Sequence, residues 1–143
     1  MSGTGKCLCG DIKLEFNSDP NFHLLCHCKD CQQATGSPVA SIIGLPESDF
    51  NIKGDLGNYK CETNVTRFFC KKCGSQIYSK AEGAPGLVLV KTGVLDEQPS
   101  IDPTMVCWID SKPNWLKIEH PEVKFEKNPG WLLYNQSYNF INF

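Results

Sequence analysis

The chain has 143 residues, nine of them cysteine, and a net charge of -2 with acidic and basic side chains interspersed. This length suits one domain with a buried core, and the charge balance excludes a basic face for nucleic acid or a polybasic strip for a membrane surface. The opening MSGTGKCLCG has no apolar signal-peptide core and no later stretch is apolar for long enough to span a bilayer, so a soluble, cytoplasmic protein is expected.

Asp11 to Phe16 places Ile12, Leu14 and Phe16 on one face at the period of a half-buried strand. A short helix is predicted from about Lys29 to Ala34, stopped by Gly36, which accepts the left-handed conformation after a helix. Further strands are predicted at Val39 to Gly44, Val65 to Cys70, Gln76 to Ser79, Leu87 to Leu95 and Met105 to Ile109. Each is rich in β-branched or aromatic residues and bounded by Gly, Pro, Asn or Asp, so the fold class is mostly β. From Pro129 to Phe143 the chain changes to aromatics and amides almost without charge. Trp131, Leu132, Leu133, Tyr134, Tyr138, Phe140 and Phe143 are expected to pack on the domain or on a second subunit, which would make a homodimer. The expected organisation is a metal-binding domain over 1–120 and a C-terminal extension over 121–143.

The cysteines need an explanation, because a reducing compartment keeps thiols unpaired and a secreted disulfide framework normally follows an export signal. They form three clusters, Cys7-x-Cys9-Gly10, Cys26-x-Cys28-x-x-Cys31 and Cys70-x-x-Cys73-Gly74, with Cys61 and Cys107 alone. A closed zinc site takes four protein ligands, and a catalytic one takes three and leaves a position for water or substrate. Cys70 and Cys73 on a Gly-ended turn need a second pair, and Cys7 and Cys9 supply it. Two apart in an extended segment, these two would point to one face while Leu8 turns into the core. Cys26, Cys28 and Cys31 then have no pair left to complete them, which leaves an open position on a soft metal, zinc first and iron second. Two other readings compete: disulfides, and a single structural zinc with the central triplet as buried thiols.

His27, between two proposed ligands, would point away from their sulfurs by alternation and is expected to pack or to support the site. His23 and His120 have no clustered partners, and Cys61 and Cys107 are expected to pack as small apolar residues.

The ordered set Gly5-x-Cys7-x-Cys9-Gly10, Cys26-His27-Cys28-x-x-Cys31, Gly36, Arg67-x-Phe69-Cys70-x-x-Cys73-Gly74-Ser75, Gly93-x-Leu95-Asp96 and Lys112-x-x-Trp115 resembles the glutathione-dependent formaldehyde-activating family, which includes the centromere protein V group. The resemblance runs from Gly5 to about Ile118. It implies an Mss4-like fold, a single-domain β-tent sandwich stapled by zinc, with Cys7, Cys9, Cys70 and Cys73 at the structural zinc and Cys26, Cys28 and Cys31 at the catalytic one. It implies formation and breakdown of S-hydroxymethylglutathione from glutathione and formaldehyde, which is carbon-sulfur lyase chemistry. One departure is that many relatives carry a His-Ile pair where this chain has Val106-Cys107.

Three thiolates on a divalent ion leave a net negative shell, which favours activation of a substrate thiol over polarisation of a carbonyl. A fourth thiolate would call for a nearby cation, and Arg67 is the candidate, either at the cluster or as a clamp for a glutathione carboxylate. Lys112 and Trp115 are candidates to wall or anchor a peptide-like thiol. The expected partners are a small thiol such as glutathione and an aldehyde. A zinc-stabilised protein-binding module without catalysis is the alternative, and a closed second site would favour it.

Overall fold

The computed structural model describes residues 2–99, 101–119, 121 and 123–129. Strands β1 (Gly3–Lys6) and β2 (Lys13–Phe16) form an antiparallel pair, with Gly3 opposite Phe16 and Lys6 opposite Lys13. Strand β3 (Phe22–Cys26) leads into α1 (Lys29–Thr35), which ends at Gly36 in the left-handed conformation. There follow β4 (Ala40–Pro46), β5 (Phe50–Lys53), β6 (Leu56–Lys60), β7 (Val65–Cys70), β8 (Gln76–Ala81), β9 (Leu87–Lys91), β10 (Met105–Cys107) and β11 (Val123–Lys124). Single 3-10 turns occupy Glu47–Asp49, Thr92–Val94 and Ile109–Ser111.

Two sheets result, one of three strands in the order β1-β2-β5 and one of eight in the order β11-β10-β3-β4-β9-β8-β7-β6. Alternation along the central strands builds a core on each face of the larger sheet. Ile43 and Leu45 of β4 and Val88 and Val90 of β9 pack against Leu14 and Phe16 of the smaller sheet and Ile12 just before it. On the opposite face Ile42, Leu87 and Leu89 join Phe22, Leu24 and Met105 around Cys26, Cys31 and Cys107. Each fully buried aliphatic side chain contributes about 1.5–3 kcal/mol. This is the mostly β, single-domain architecture expected, and its paired sheets agree with the Mss4-like arrangement.

Two predicted strands are shorter than expected. The segment from Leu87 stops at Lys91, where Thr92–Val94 turns, and that from Met105 stops at Cys107, where Trp108 takes φ 57°. The first part of the C-terminal extension docks on the sheet edge: β11 pairs in parallel with β10, and the Phe125 amide donates to the Val106 carbonyl at 2.8 Å. His120 and the aromatic tail from Trp131 to Phe143 lie outside the described residues. No helix among the described residues is long and apolar enough to cross a membrane.

Candidate metal centres

The first centre joins the β1–β2 connection to the turn after β7. The Gly10 amide donates to the Cys7 carbonyl at 3.0 Å and the Gly74 amide to the Cys70 carbonyl at 2.8 Å. Gly10 and Gly74 sit at φ 82° and 76°, a conformation that costs a side-chain-bearing residue, so each turn closes with its two sulfurs on one side. The sulfurs of Cys7, Cys9, Cys70 and Cys73 all lie within 4.8 Å of one another, with Cys7 to Cys9 at 3.5 Å and Cys9 to Cys70 at 3.7 Å. A tetrahedron with zinc-sulfur bonds of about 2.3 Å has edges of about 3.8 Å, so these four residues fit a closed zinc site.

The amide of Ile12 donates to Cys7 Sγ at 3.2 Å. The Ser75 hydroxyl lies 3.1 Å from Cys73 Sγ, and bonds from Ser75 lower the Cys73 thiol to about 5. The Asp11 amide pulls Cys9 down, but burial and the neighbouring sulfurs win and push it up to about 12. Leu8 is not in the core as expected. It is 90% exposed, because Cys7 to Gly10 is a turn outside β1 and strand alternation does not apply to it.

The second centre lies on the other face of the large sheet. Cys26 ends β3, Cys28 caps α1 by accepting the Cys31 amide at 3.2 Å, and Cys31 stands in the first turn. Gln32 Nε2 fixes the helix by donating to the carbonyls of His27 at 2.7 Å and Ser111 at 3.0 Å. The three sulfurs lie within 4.8 Å of one another, and no fourth His, Cys, Asp or Glu among the described residues joins them within that span. His27 is fully buried, with Nδ1 3.0 Å from the Pro38 carbonyl, and is outside the group. His23 is satisfied by Ser41 and the Ile101 carbonyl.

A cavity of about 260 Å³ opens over the triplet. Sheet register explains its lining, since register partners share a face: Arg67 pairs with Ser79 and Ser79 with Leu89, while Lys91 pairs with Ile42 and Ile42 with Leu24. Cys107 pairs with Cys26 and lines the same cavity. Arg67 is only 6% exposed, with Nε donating to Cys61 Sγ at 3.3 Å and both terminal nitrogens to Cys31 Sγ at 3.8 and 3.9 Å. Burial opposes the Arg67 charge, but Cys31 and Cys61 outweigh it and raise its pKa above the usual value.

Hydrogen bonds from Cys26 and Cys28 lower Cys31 to about 2, with Lys91 and Arg67 adding to the effect. Cys26, beside Cys107, and Cys28, beside Cys26 and Cys31, are pushed up, so the first negative charge of the cluster belongs on Cys31. Asn64 and Trp108, the non-glycine residues at positive φ among those described, both line this cavity. Backbone strain of this kind collects at functional sites.

A model of the glutathione-dependent formaldehyde-activating enzyme family matches residues 2–111, more than half of the chain. The chain belongs to this family. A Schizosaccharomyces pombe protein named as an uncharacterized lyase is 28% identical over 74 residues, 52% of this chain and 54% of that protein, so the match spans about half the length of the relative. A crystal structure of a Rhodobacter sphaeroides protein is similar in fold, with a TM-score of 0.55 at 21% identity, covering 85% of this chain and 98% of that one.

Sequence reasoning found both cysteine groups and Arg67 but missed Lys91, which is as buried as Arg67 and lines the same cavity. The signal was there: a charged residue closing the apolar run Leu87-Val88-Leu89-Val90 on the Leu87 and Leu89 side. Cys61 does more than pack, since it accepts from Arg67. Lys112 Nζ donates to the carbonyls of Pro113 and Leu116, and Trp115 is 70% exposed. Neither is among the residues lining the cavity.

Proposed function

We propose that this protein is a zinc-dependent carbon-sulfur lyase acting on thiol-aldehyde adducts of the S-hydroxymethylglutathione type in the cytoplasm. Cys7, Cys9, Cys70 and Cys73 hold a structural zinc, and Cys26, Cys28 and Cys31 hold a second, catalytic one. The observation that carries this reading is the contrast in donor sets: among the described residues four sulfurs gather at the quartet, whereas three gather at the triplet beneath a cavity lined by the buried Arg67 and Lys91. A non-catalytic binding module has no use for that cavity.

Zinc at the triplet supplies positive charge that favours the ionised form of a thiol entering the cavity. The chain does the rest. The three cysteines fix where the sulfur arrives, and Arg67 offsets their negative charge through Cys31. Leu24, Ile42 and Leu89 wall the cavity with apolar surface that displaces water. In adduct breakdown the carbon-sulfur bond opens with its electron pair on sulfur, the O–H pair becomes the carbonyl π bond, and the hydroxyl proton passes to sulfur. A cavity of this size admits the thiol end of glutathione. Lys112 and Trp115 contact the peptide remainder outside it.

Exchange NMR of glutathione with labelled formaldehyde tests the reading, because the uncatalysed reaction proceeds on its own and sets the baseline. The wild type is expected to accelerate interconversion, Cys28→Ser to fall to the baseline, and Arg67→Met to lose about 10–100-fold. Equal rates for all three and for buffer would reject this substrate pair.

A further inference from the structure

β9 reads Leu87-Val88-Leu89-Val90-Lys91, and its period puts Lys91 on the Leu87 and Leu89 face over the cysteine triplet. Lys91 is 6% exposed and lines the cavity. Burial lowers the pKa of its amino group while Cys31 pulls the other way, and the group offers two N–H donors when neutral and three when charged. Among the described residues it makes a single hydrogen bond, to Ser79 Oγ at 3.4 Å. Among the described residues no carboxylate pairs with it. A buried charged donor left unsatisfied is among the costlier features a fold can carry. Arg67 differs, because each of its three nitrogens donates to the sulfur of Cys61 or Cys31. The cavity therefore keeps, on Lys91, a buried nitrogen with N–H capacity unspent above the cysteine triplet.

We infer that Lys91 is a catalytic residue that donates a hydrogen bond to the adduct oxygen, the one on the carbon that bears the sulfur. This rests on reading the site as one for thiol-aldehyde adducts. In the forming direction a sulfur electron pair makes the new carbon-sulfur bond, the carbonyl π pair moves onto oxygen, and the thiol proton finishes on that oxygen. Before the proton arrives the oxygen carries negative charge, and a buried N–H donor held in a water-poor cavity stabilises it without reorganising. A free thiol has no oxygen at that position, so Lys91 distinguishes the adduct from the thiol.

The test uses zinc-loaded full-length protein and two small probes. Thioacetate carries sulfur and oxygen on one carbon, and ethanethiol carries the sulfur alone. Calorimetric affinities for both are measured on the wild type, Lys91→Met and Lys91→Gln, with zinc content counted in each. Lys91→Met is expected to lower the preference for thioacetate over ethanethiol by about 10–100-fold at unchanged zinc content. Lys91→Gln, which keeps an N–H donor without the charge, recovers part of it and carries the test if the methionine variant fails to fold. In adduct interconversion kcat falls by about 10²–10³ with the thiol KM unchanged. A wild type with no preference for thioacetate, or a loss in the variants that is equal for both probes, overturns the inference. A wild type inactive on glutathione and formaldehyde but with a Lys91-dependent thioacetate preference overturns that substrate pair alone and supports the role of Lys91.

Discussion

The two cysteine clusters use the same element in different settings. At the quartet, two Gly-ended turns bring four sulfurs together, the neighbouring groups are backbone amides, Ser75 and the exposed Lys72–Asp11 pair, and Cys9 reaches the surface. At the triplet, a strand end and a helix cap bring three sulfurs together under a cavity, and two cations from distant strands are buried against them. A cluster that satisfies itself can be built from local turns. One that leaves a position for a ligand needs charge brought by the sheet, because a cation is costly to bury unless something there requires it. The difference assigns a holding role to the first and a chemical role to the second.

The largest expected effect breaks the pair apart by mutation. A structural zinc contributes about 10–16 kcal/mol of apparent binding free energy, comparable to the whole stability of a domain at about 5–15 kcal/mol. Cys70→Ser should therefore lose dispersed amide resonances and β-type circular dichroism. Cys28→Ser should keep both and fall from two zinc ions per chain to one. Two variants equally folded with the same zinc content would show that the clusters do not divide the work this way.

How far the sequence disclosed this contrast follows from where each piece of information sits in the chain. Ligand spacing is local, so Cys7, Cys9, Cys70 and Cys73 and the triplet were readable together with the number of positions each fills. Strong strands such as Val65–Cys70 were readable from composition. Phe22–Cys26 was not, because it is buried on both faces and shows no alternation, nor was the short Gly3–Lys6. The cavity was illegible, since it depends on registers that place Arg67 beside Ser79 and Lys91 beside Ile42. A lysine at the end of an apolar run looks like a strand reaching solvent, and only the neighbouring strands show that this one does not.

A smaller effect separates the clusters by pH. Unfolded cysteines titrate near their ordinary 9.0, so at neutral pH the unfolded chain carries protons that zinc displaces from the folded one. Zinc-linked stability therefore rises with pH toward 9 and falls on acidification. In the quartet Cys73 is lowered to about 5 and Cys7 is also lowered, with Cys9 alone raised, to about 12. In the triplet two of three thiols, Cys26 and Cys28, are pushed up and only Cys31 is lowered. The triplet also brings three sulfurs where the quartet brings four, and the Arg67 guanidinium beside Cys31 repels a metal cation. Zinc release followed with a chromophoric chelator during acid titration should show two waves, the one at higher pH missing from Cys28→Ser. A single wave in the wild type would mean that the surroundings do not set affinity as argued.

The smallest effect concerns the rim. Trp115 is largely exposed and Lys112 is tied to the carbonyls of Pro113 and Leu116, so neither supports the fold through buried contacts. Substituting such residues changes stability by less than about 0.5 kcal/mol. If they receive the peptide part of glutathione outside the cavity, Trp115→Ala and Lys112→Ala raise KM for the thiol severalfold and leave kcat, zinc content and Tm in place. That split is what loss of uniform binding produces, since substrate and transition state are then weakened alike. A fall in kcat at constant KM would instead move these residues into the chemistry, and would place the reacting carbon nearer the Lys112–Trp115 segment than the cysteine triplet allows.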